Sequence, residues 1–245
     1  MIYIIGLGLN DEGDLTLKAI EKLKQCDKVY AEFYTNIWQG DIKTLEKMIS
    51  KDIIILEREK VESEFLIKEA ISENIALLVP GDPLSATTHF EIVALAKQNN
   101  IKCDIIHAPS IYTAIAETGL QLYKFGRSTT IPKFQKGFEP SSPYEVIESN
   151  KKIGYHTLVL LDIGMKVKDG LNNLMKLEDS LKRNVLSNST KVIACSRLGN
   201  KERKIIYDTI ENLINKDIQD VPAVVIIPGS INFKEEEYLN NITDD

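Results

Sequence analysis

Ile75-Ala-Leu-Leu-Val79, followed at once by Pro80-Gly-Asp-Pro-Leu-Ser-Ala-Thr-Thr-His89, is the stretch whose reading decides the fold. Five apolar residues without a polar interruption are what a strand needs when it is buried on both faces, as in a parallel sheet. Two prolines and a glycine end it abruptly. Pro83 keeps Asp82 out of the helical region, and Gly81 permits a tight turn or the close approach of a ligand. A helix is predicted from about His89 to Lys97, after three hydroxyls that can cap it or donate to a ligand. A carboxylate on a stiff turn at the carboxyl end of a buried strand sits where open α/β sheets bind small molecules. The same residues also fit an ordinary strand-to-helix turn with a capping aspartate.

The flanking sequence repeats this rhythm. Residues 2–9 read as a strand ending in Gly6-Leu-Gly-Leu9. Leu15, Leu17, Ile20 and Leu23 then share a helical face, with Asp14 as its expected N-cap. Strands are predicted at 29–34, 53–56 and 103–107, and helices at 44–49 and 62–72. Such alternation implies a parallel sheet covered by helices. A helix is expected at 113–121, and the domain boundary is placed at its start. This gives an N-terminal α/β domain over 1–112 and a C-terminal mixed α/β domain over 113–245. In the second, strands are predicted at 125–131, 156–163, 191–196, 204–208 and 223–228, and helices at 144–152, 171–186 and 209–215. Its topology is open. No repeat is visible, and the only biased segment is the Asp244-Asp245 tail.

Composition narrows the function. The 245 residues can bury a core without staples, and a net charge of −6 does not suggest a nucleic-acid-binding surface. Cys26, Cys103 and Cys195 are odd in number and far apart, and His89, His107 and His156 are scattered, so no disulfide framework or metal site is expected. The N-terminus lacks the basic start of a signal peptide, and no apolar run approaches the roughly 20 residues of a membrane span. The expectation is a soluble, cytoplasmic protein.

Several chemistries can be set against plainer readings. Gly6-Leu-Gly8 suggests a dinucleotide loop, but Asp11 stands where the third glycine belongs and has the wrong charge for a pyrophosphate, so Glu32 is not a ribose ligand on that scheme. No Walker loop is present. Glu32 and Tyr34, alternating with Ala31 and Phe33 on the second strand, would put a carboxylate and a phenol on one side, as a half-exposed face or as a substrate-orienting pair. Ser110 can cap the helix that follows it or donate to a ligand. His89 is read as structural, and His107 and His156 as ordinary sheet residues. Lys124, Arg127, Lys133 and Lys136 make either a solvated face or a patch for an acidic partner. No general base can be named.

The landmarks together resemble one family. Gly6-Leu-Gly-Leu9, Asp14-Leu-Thr-Leu-Lys-Ala19, Ala31-Glu-Phe-Tyr-Thr35, Pro80-Gly-Asp-Pro-Leu84 with Ala86-Thr-Thr-His89, and Ala108-Pro-Ser-Ile-Tyr112 follow the order found in diphthine synthases. So do Gly119-Leu-Gln-Leu-Tyr-Lys-Phe-Gly126, His156-Thr-Leu-Val-Leu-Leu-Asp-Ile163 and Ile227-Pro-Gly229. These enzymes belong to the tetrapyrrole methylases, and the compact length is more similar to the archaeal form. The resemblance implies two α/β domains with a cofactor cleft between them, and a homodimer. It implies an S-adenosyl-L-methionine-dependent N-methyltransferase of diphthamide biosynthesis. The substrate would be translation elongation factor 2, trimethylated on the amino group of its 3-amino-3-carboxypropyl-histidine to give diphthine. The alternative is a precorrin or uroporphyrinogen methyltransferase of the same superfamily, and a third reading is an adaptor that has lost turnover. The cofactor contacts it implies are Leu9, Asp82, Ser85, Ser110, Ile111, Leu161, Leu198 and Ala223, with Leu198 and Ala223 in short, variable segments where backbone can make the contact.

Overall fold

The computed structural model describes residues 1–216 and 218–242, so the Asp244-Asp245 tail lies outside the described residues. The chain divides into two compact units, Met1–Ala114 and a second beginning at Ile115.

The first unit runs β1 (Ile2–Gly6), α1 (Leu17–Gln25), β2 (Lys28–Ala31), α2 (Ile42–Ile49), β3 (Ile53–Ile55), α3 (Arg58–Val61), α4 (Phe65–Glu69), β4 (Ile75–Val79), α5 (Phe90–Gln98), β5 (Cys103–Ile106) and α6 (Ile111–Ala114). Its five strands are all parallel, in the order β3-β2-β4-β1-β5. The helices lie on both faces, as the side chains of β4 show. Ile75, Leu77 and Val79 join one buried cluster with Leu66 and Ile92, while Ala76 and Leu78 join another with Leu23 and Leu45. Every residue of β4 is buried, which is why its sequence is uniformly apolar rather than alternating. From β1 the chain moves toward β2, and from β4 it moves the other way, toward β5. These two neighbours therefore form the switch point at whose carboxyl ends an open sheet leaves a crevice.

The second unit contains β6 (Thr129–Ile131), α7 (Ser142–Lys152), β7 (Thr157–Leu161), α8 (Val167–Leu181), β8 (Lys191–Ser196), β9 (Lys204–Thr209), α9 (Ile210–Lys216), β10 (Ala223–Ile227) and α10 (Phe233–Asn241). Its sheet is mixed, ordered β6-β7-β10-β8-β9, with only β6 and β7 parallel. Its main core gathers Val159, Leu171, Leu174, Val192, Ile210 and Val225.

Several local expectations are corrected. Asp14 does not cap α1. Thr16 does, accepting from Ala19 N at 3.1 Å, while Asp14 ends a single 3₁₀ turn and its Oδ2 accepts from Leu9 N and Asn10 N, both at 2.8 Å. β2 stops at Ala31 instead of running to residue 34, so Glu32 and Tyr34 do not share a strand face. The helix expected at 62–72 is only α4, Phe65–Glu69, and α3 ends before it at Val61. The 113–121 helix is one turn of α6 continued as a 3₁₀ turn, Ile115–Thr118. The strand expected from 125 begins only at Thr129. A further helix, α10, ends the second unit, and Asn232 and Glu235 form a full capping box at its start.

Candidate functional site

At the carboxyl edge of the first sheet, β1 and β4 both continue past their last strand pair. Leu7 N donates to Val79 O at 2.8 Å, and Gly8 and Gly81 exchange a reciprocal pair of backbone bonds at 3.1 and 2.8 Å. Both glycines have positive φ, +80° and +69°, the region a side chain makes costly. The chains are so close here that a Cβ on Gly6 would lie 2.5 Å from Gly81 O and 2.7 Å from Ala108 Cβ. Three strand ends thus converge on a residue with no side chain. Gly81 itself faces open space, with nothing within 4 Å of where its Cβ would point.

Asp82 fastens this junction. It is 7% exposed. One carboxylate oxygen accepts from Leu84 N at 3.1 Å and Ser85 Oγ at 3.2 Å, closing the turn after β4. The other accepts from Ala108 N at 3.3 Å and lies 2.7 Å from His107 Nδ1, a separation at which that nitrogen carries the proton. Asp82 therefore ties the β4 loop to the β5 loop across the end of β1. In sequence His107 is an ordinary sheet residue. It lies one residue past β5 and is the partner of Asp82. Ser110 is buried, and its Oγ accepts from Tyr112 N at 3.3 Å, which caps α6. Leu9, Asp82, Ser85, Ser110 and Ile111 are thus brought to one edge of the first unit.

Glu32, also at this edge, is fully buried. Its carboxylate folds back on its own loop, accepting from Tyr34 N and Thr35 N at 3.0 Å each and from the Thr35 hydroxyl. Burial pushes its carboxyl upward, against those donors. His89 opens α5 at 2% exposure, and burial pushes its imidazole below the usual range. The hydroxyls before it do not cap the helix by the usual bond. Thr87 Oγ1 donates to Pro83 O at 2.6 Å, and the cap position has no side-chain bond.

In the second unit, Leu161 ends β7, Ala223 begins β10, and Leu198 follows β8. Because Val224 pairs with Leu160 and Ala223 with Ser196, the three stand at one edge of that sheet. Leu198 and Ala223 are buried, and beside them Ser196 has a buried hydroxyl with no partner. That orphan was not singled out in the sequence, and nothing in a strand-end serine signals it. His156, read as an ordinary sheet residue, is fully buried. Its Nδ1 accepts from Gly229 N at 2.9 Å, so Nε2 carries the proton and faces Glu235 at 3.3 Å. Lys124 pairs with the same carboxylate. His156 and Lys124 are thus internal struts of the second unit.

The residues present fit the cofactor that the resemblance implies. A molecule carrying a sulfonium and an ammonium suits a buried carboxylate at the switch point. The open side of Gly81 leaves space beside that carboxylate. Among the described residues no cluster of metal-binding side chains occurs, and no helix is long and apolar enough to cross a membrane.

Comparison with known proteins agrees with this geometry. The family model for tetrapyrrole (corrin/porphyrin) methylases matches residues 1–214. A diphthine synthase of Methanococcus aeolicus is 44% identical over 253 aligned positions, covering 100% of this chain and 98% of that protein. One from Methanocaldococcus jannaschii is 40% identical, covering 100% and 99%. A crystal structure of a diphthine synthase superimposes with a TM-score of 0.89 at 33% identity, covering 98% of this chain and 95% of that one.

Proposed function

The chain belongs to the tetrapyrrole methylase family and, at 40–45% identity over its full length, to the diphthine synthases within it, and from that premise we propose how it works and on what. It is an S-adenosylmethionine-dependent methyltransferase of diphthamide biosynthesis. A tetrapyrrole substrate is not favoured, because the full-length relatives are diphthine synthases rather than corrin or porphyrin methylases. In the reading proposed here the acceptor is translation elongation factor 2, on the amino group of a 3-amino-3-carboxypropyl-histidine. Three methyl transfers give the trimethylammonium product, and the enzyme works in the cytoplasm as a homodimer.

The observation that carries this reading is the junction fastened by Asp82. S-adenosylmethionine supplies the methyl group as a positively charged sulfonium. Asp82 places a buried negative charge next to the crevice and holds the two loops that line it, while Ser85 and Ser110 keep hydroxyls at the same edge. Leu9 and Ile111 offer apolar surface. Leu161, Leu198 and Ala223 are the contacts proposed for the second unit. Chemistry of this kind needs alignment more than acid–base force, so the chain's main task is to hold the amine in line at about 3–3.5 Å from the methyl carbon.

The test is incubation with methyl-labelled S-adenosylmethionine and elongation factor 2 bearing the unmethylated side chain. Label on the modified histidine is expected. Label on a porphyrinogen, with none on the factor, would overturn the reading.

A further inference from the structure

His107 stands one residue past β5, and its Nδ1 meets Asp82 Oδ2, on the loop after β4, at 2.7 Å. In the strand order β4-β1-β5 those two strands flank β1, so the pair bridges the end of β1, at the edge where the crevice opens. All of these residues lie within the first unit.

The two partners are held in opposite ways. Asp82 is 7% exposed, and both its oxygens are taken: Oδ1 by Leu84 N and Ser85 Oγ, Oδ2 by Ala108 N and the His107 ring. The His107 side chain is 69% exposed. With Nδ1 donating to the carboxylate, the neutral ring keeps a lone pair on Nε2. Among the described residues the ring has no partner besides Asp82. A carboxylate behind Nδ1 and a bare Nε2 in front is the arrangement of an oriented general base. The fold has little need of it. So exposed a pair adds little stability, and the Ala108 amide already joins the two loops through the same oxygen.

The reaction does need such a group. An ammonium has no lone pair and cannot attack a methyl group, so a proton must leave before every transfer. The group that takes it has to act on a nitrogen with one N–H as well as on one with three.

We propose that His107 is the general base for the acceptor amine, with Asp82 as the residue that positions it. The assignment rests on the diphthine synthase reading for the identity of the amine. In each round one N–H bond of the ammonium breaks, its electron pair stays on nitrogen, and an Nε2–H bond forms. The exposed ring hands that proton to solvent, so no second positive charge remains beside the sulfonium. The amine then turns about its C–N bond. Its lone pair forms the new N–C bond as the methyl–sulfur bond breaks, with that electron pair going to sulfur. Because one N–H suffices, the same Nε2 serves the unmethylated, singly methylated and doubly methylated ammonium in turn.

Two measurements test it. His107→Asn keeps a side-chain amide that can donate to Asp82 and removes Nε2. With elongation factor 2 bearing the unmethylated side chain, it should lower kcat about a hundredfold at neutral pH. Its melting temperature should not fall, and its affinity for S-adenosylhomocysteine, by calorimetry, should stay within about twofold. Raising the pH should recover the variant's rate far more than the wild type's, because solvent then supplies the free amine. A kcat within about twofold of wild type, or a loss that high pH does not recover, would overturn the proposal. So would a melting temperature that falls in His107→Ala and returns in His107→Asn together with full activity, the pattern of a loop tie alone. In protein labelled with ¹⁵N at histidine and saturated with S-adenosylhomocysteine, the His107 resonances should show the proton on Nδ1 and Nε2 bare. If the wild-type enzyme leaves the factor unlabelled, the substrate reading fails by itself and the tautomer decides the base: a bare Nε2 retains it and a protonated Nε2 in the neutral ring overturns it.

Discussion

Removing the Asp82 carboxylate should loosen two loops at once, and the size of the effect can be worked from its partners. Asp82→Ala deletes the acceptor for Leu84 N, Ser85 Oγ and Ala108 N and the partner of His107. The His107 side chain is 69% exposed, so that pair contributes at most about 1 kcal/mol. Leu84 and Ala108 lie near enough to solvent for water to replace part of what their amides lose. Bonds to a charged acceptor contribute about 1.5–3 kcal/mol each when fully buried. Discounting for water, the total is about 2–3 kcal/mol, or a fall in melting temperature of roughly 5–10 °C for a chain of this size. Affinity for S-adenosylmethionine, measured by calorimetry, should fall about ten- to a hundredfold, because the crevice loses both its charge and the tie between its walls. Asp82→Asn should lie between, since its single oxygen serves the β4 turn while its amide opposes the Ala108 N–H. A variant that melts earlier but binds the cofactor with wild-type affinity would refute the placement of Asp82 at the cofactor. One that changes neither would refute its structural role as well.

The other predictions concern packing and charge. Gly6→Ala forces a methyl to within 2.5 Å of the backbone Gly81 O and should cost about 2–3 kcal/mol, with weaker cofactor binding. Gly81→Ala meets open space and should cost only the roughly 1 kcal/mol of its positive φ, so equal melting temperatures for the two variants would contradict the convergence at Gly6. Glu235 is 1% exposed, and its bonds from Lys124, Asn232 N, Gln121 N and His156, prevailing over burial, hold its carboxyl down at about 2 against an ordinary 4.5. A lowered carboxylate stabilises the fold above the ordinary value and loses that contribution as pH falls from 4.5 toward 2, an effect of about 3 kcal/mol. Glu235→Gln should remove most of this acid-dependent stability in a denaturant titration, and a wild-type slope in the variant would count against the assignment.

The sequence exposed the parallel sheet because β4 is buried on both faces and its composition has to say so. The turn after it was legible for the same reason, since Pro80, Gly81 and Pro83 act on the backbone locally. Glu32 and Tyr34 misled because alternating aromatic and apolar residues look like strand wherever they stand. What ends β2 is a carboxylate bonding its own loop amides, and alternation carries no trace of that. His107 could not be matched to Asp82 from sequence, because the two are 25 residues apart and meet only when β4 and β5 flank β1. α10 was missed despite a readable signal, the Asn232–Glu235 capping box, because its face is mostly polar and only Glu235 and Leu239 are buried.

The central claim is that the carboxyl edge of the first sheet grips the methyl donor. Backbone amide hydrogen exchange, measured with and without S-adenosylhomocysteine, addresses it most directly. Slowed exchange should gather in residues 7–9, 81–86 and 108–112. Protection that leaves all three segments untouched while appearing elsewhere would contradict it.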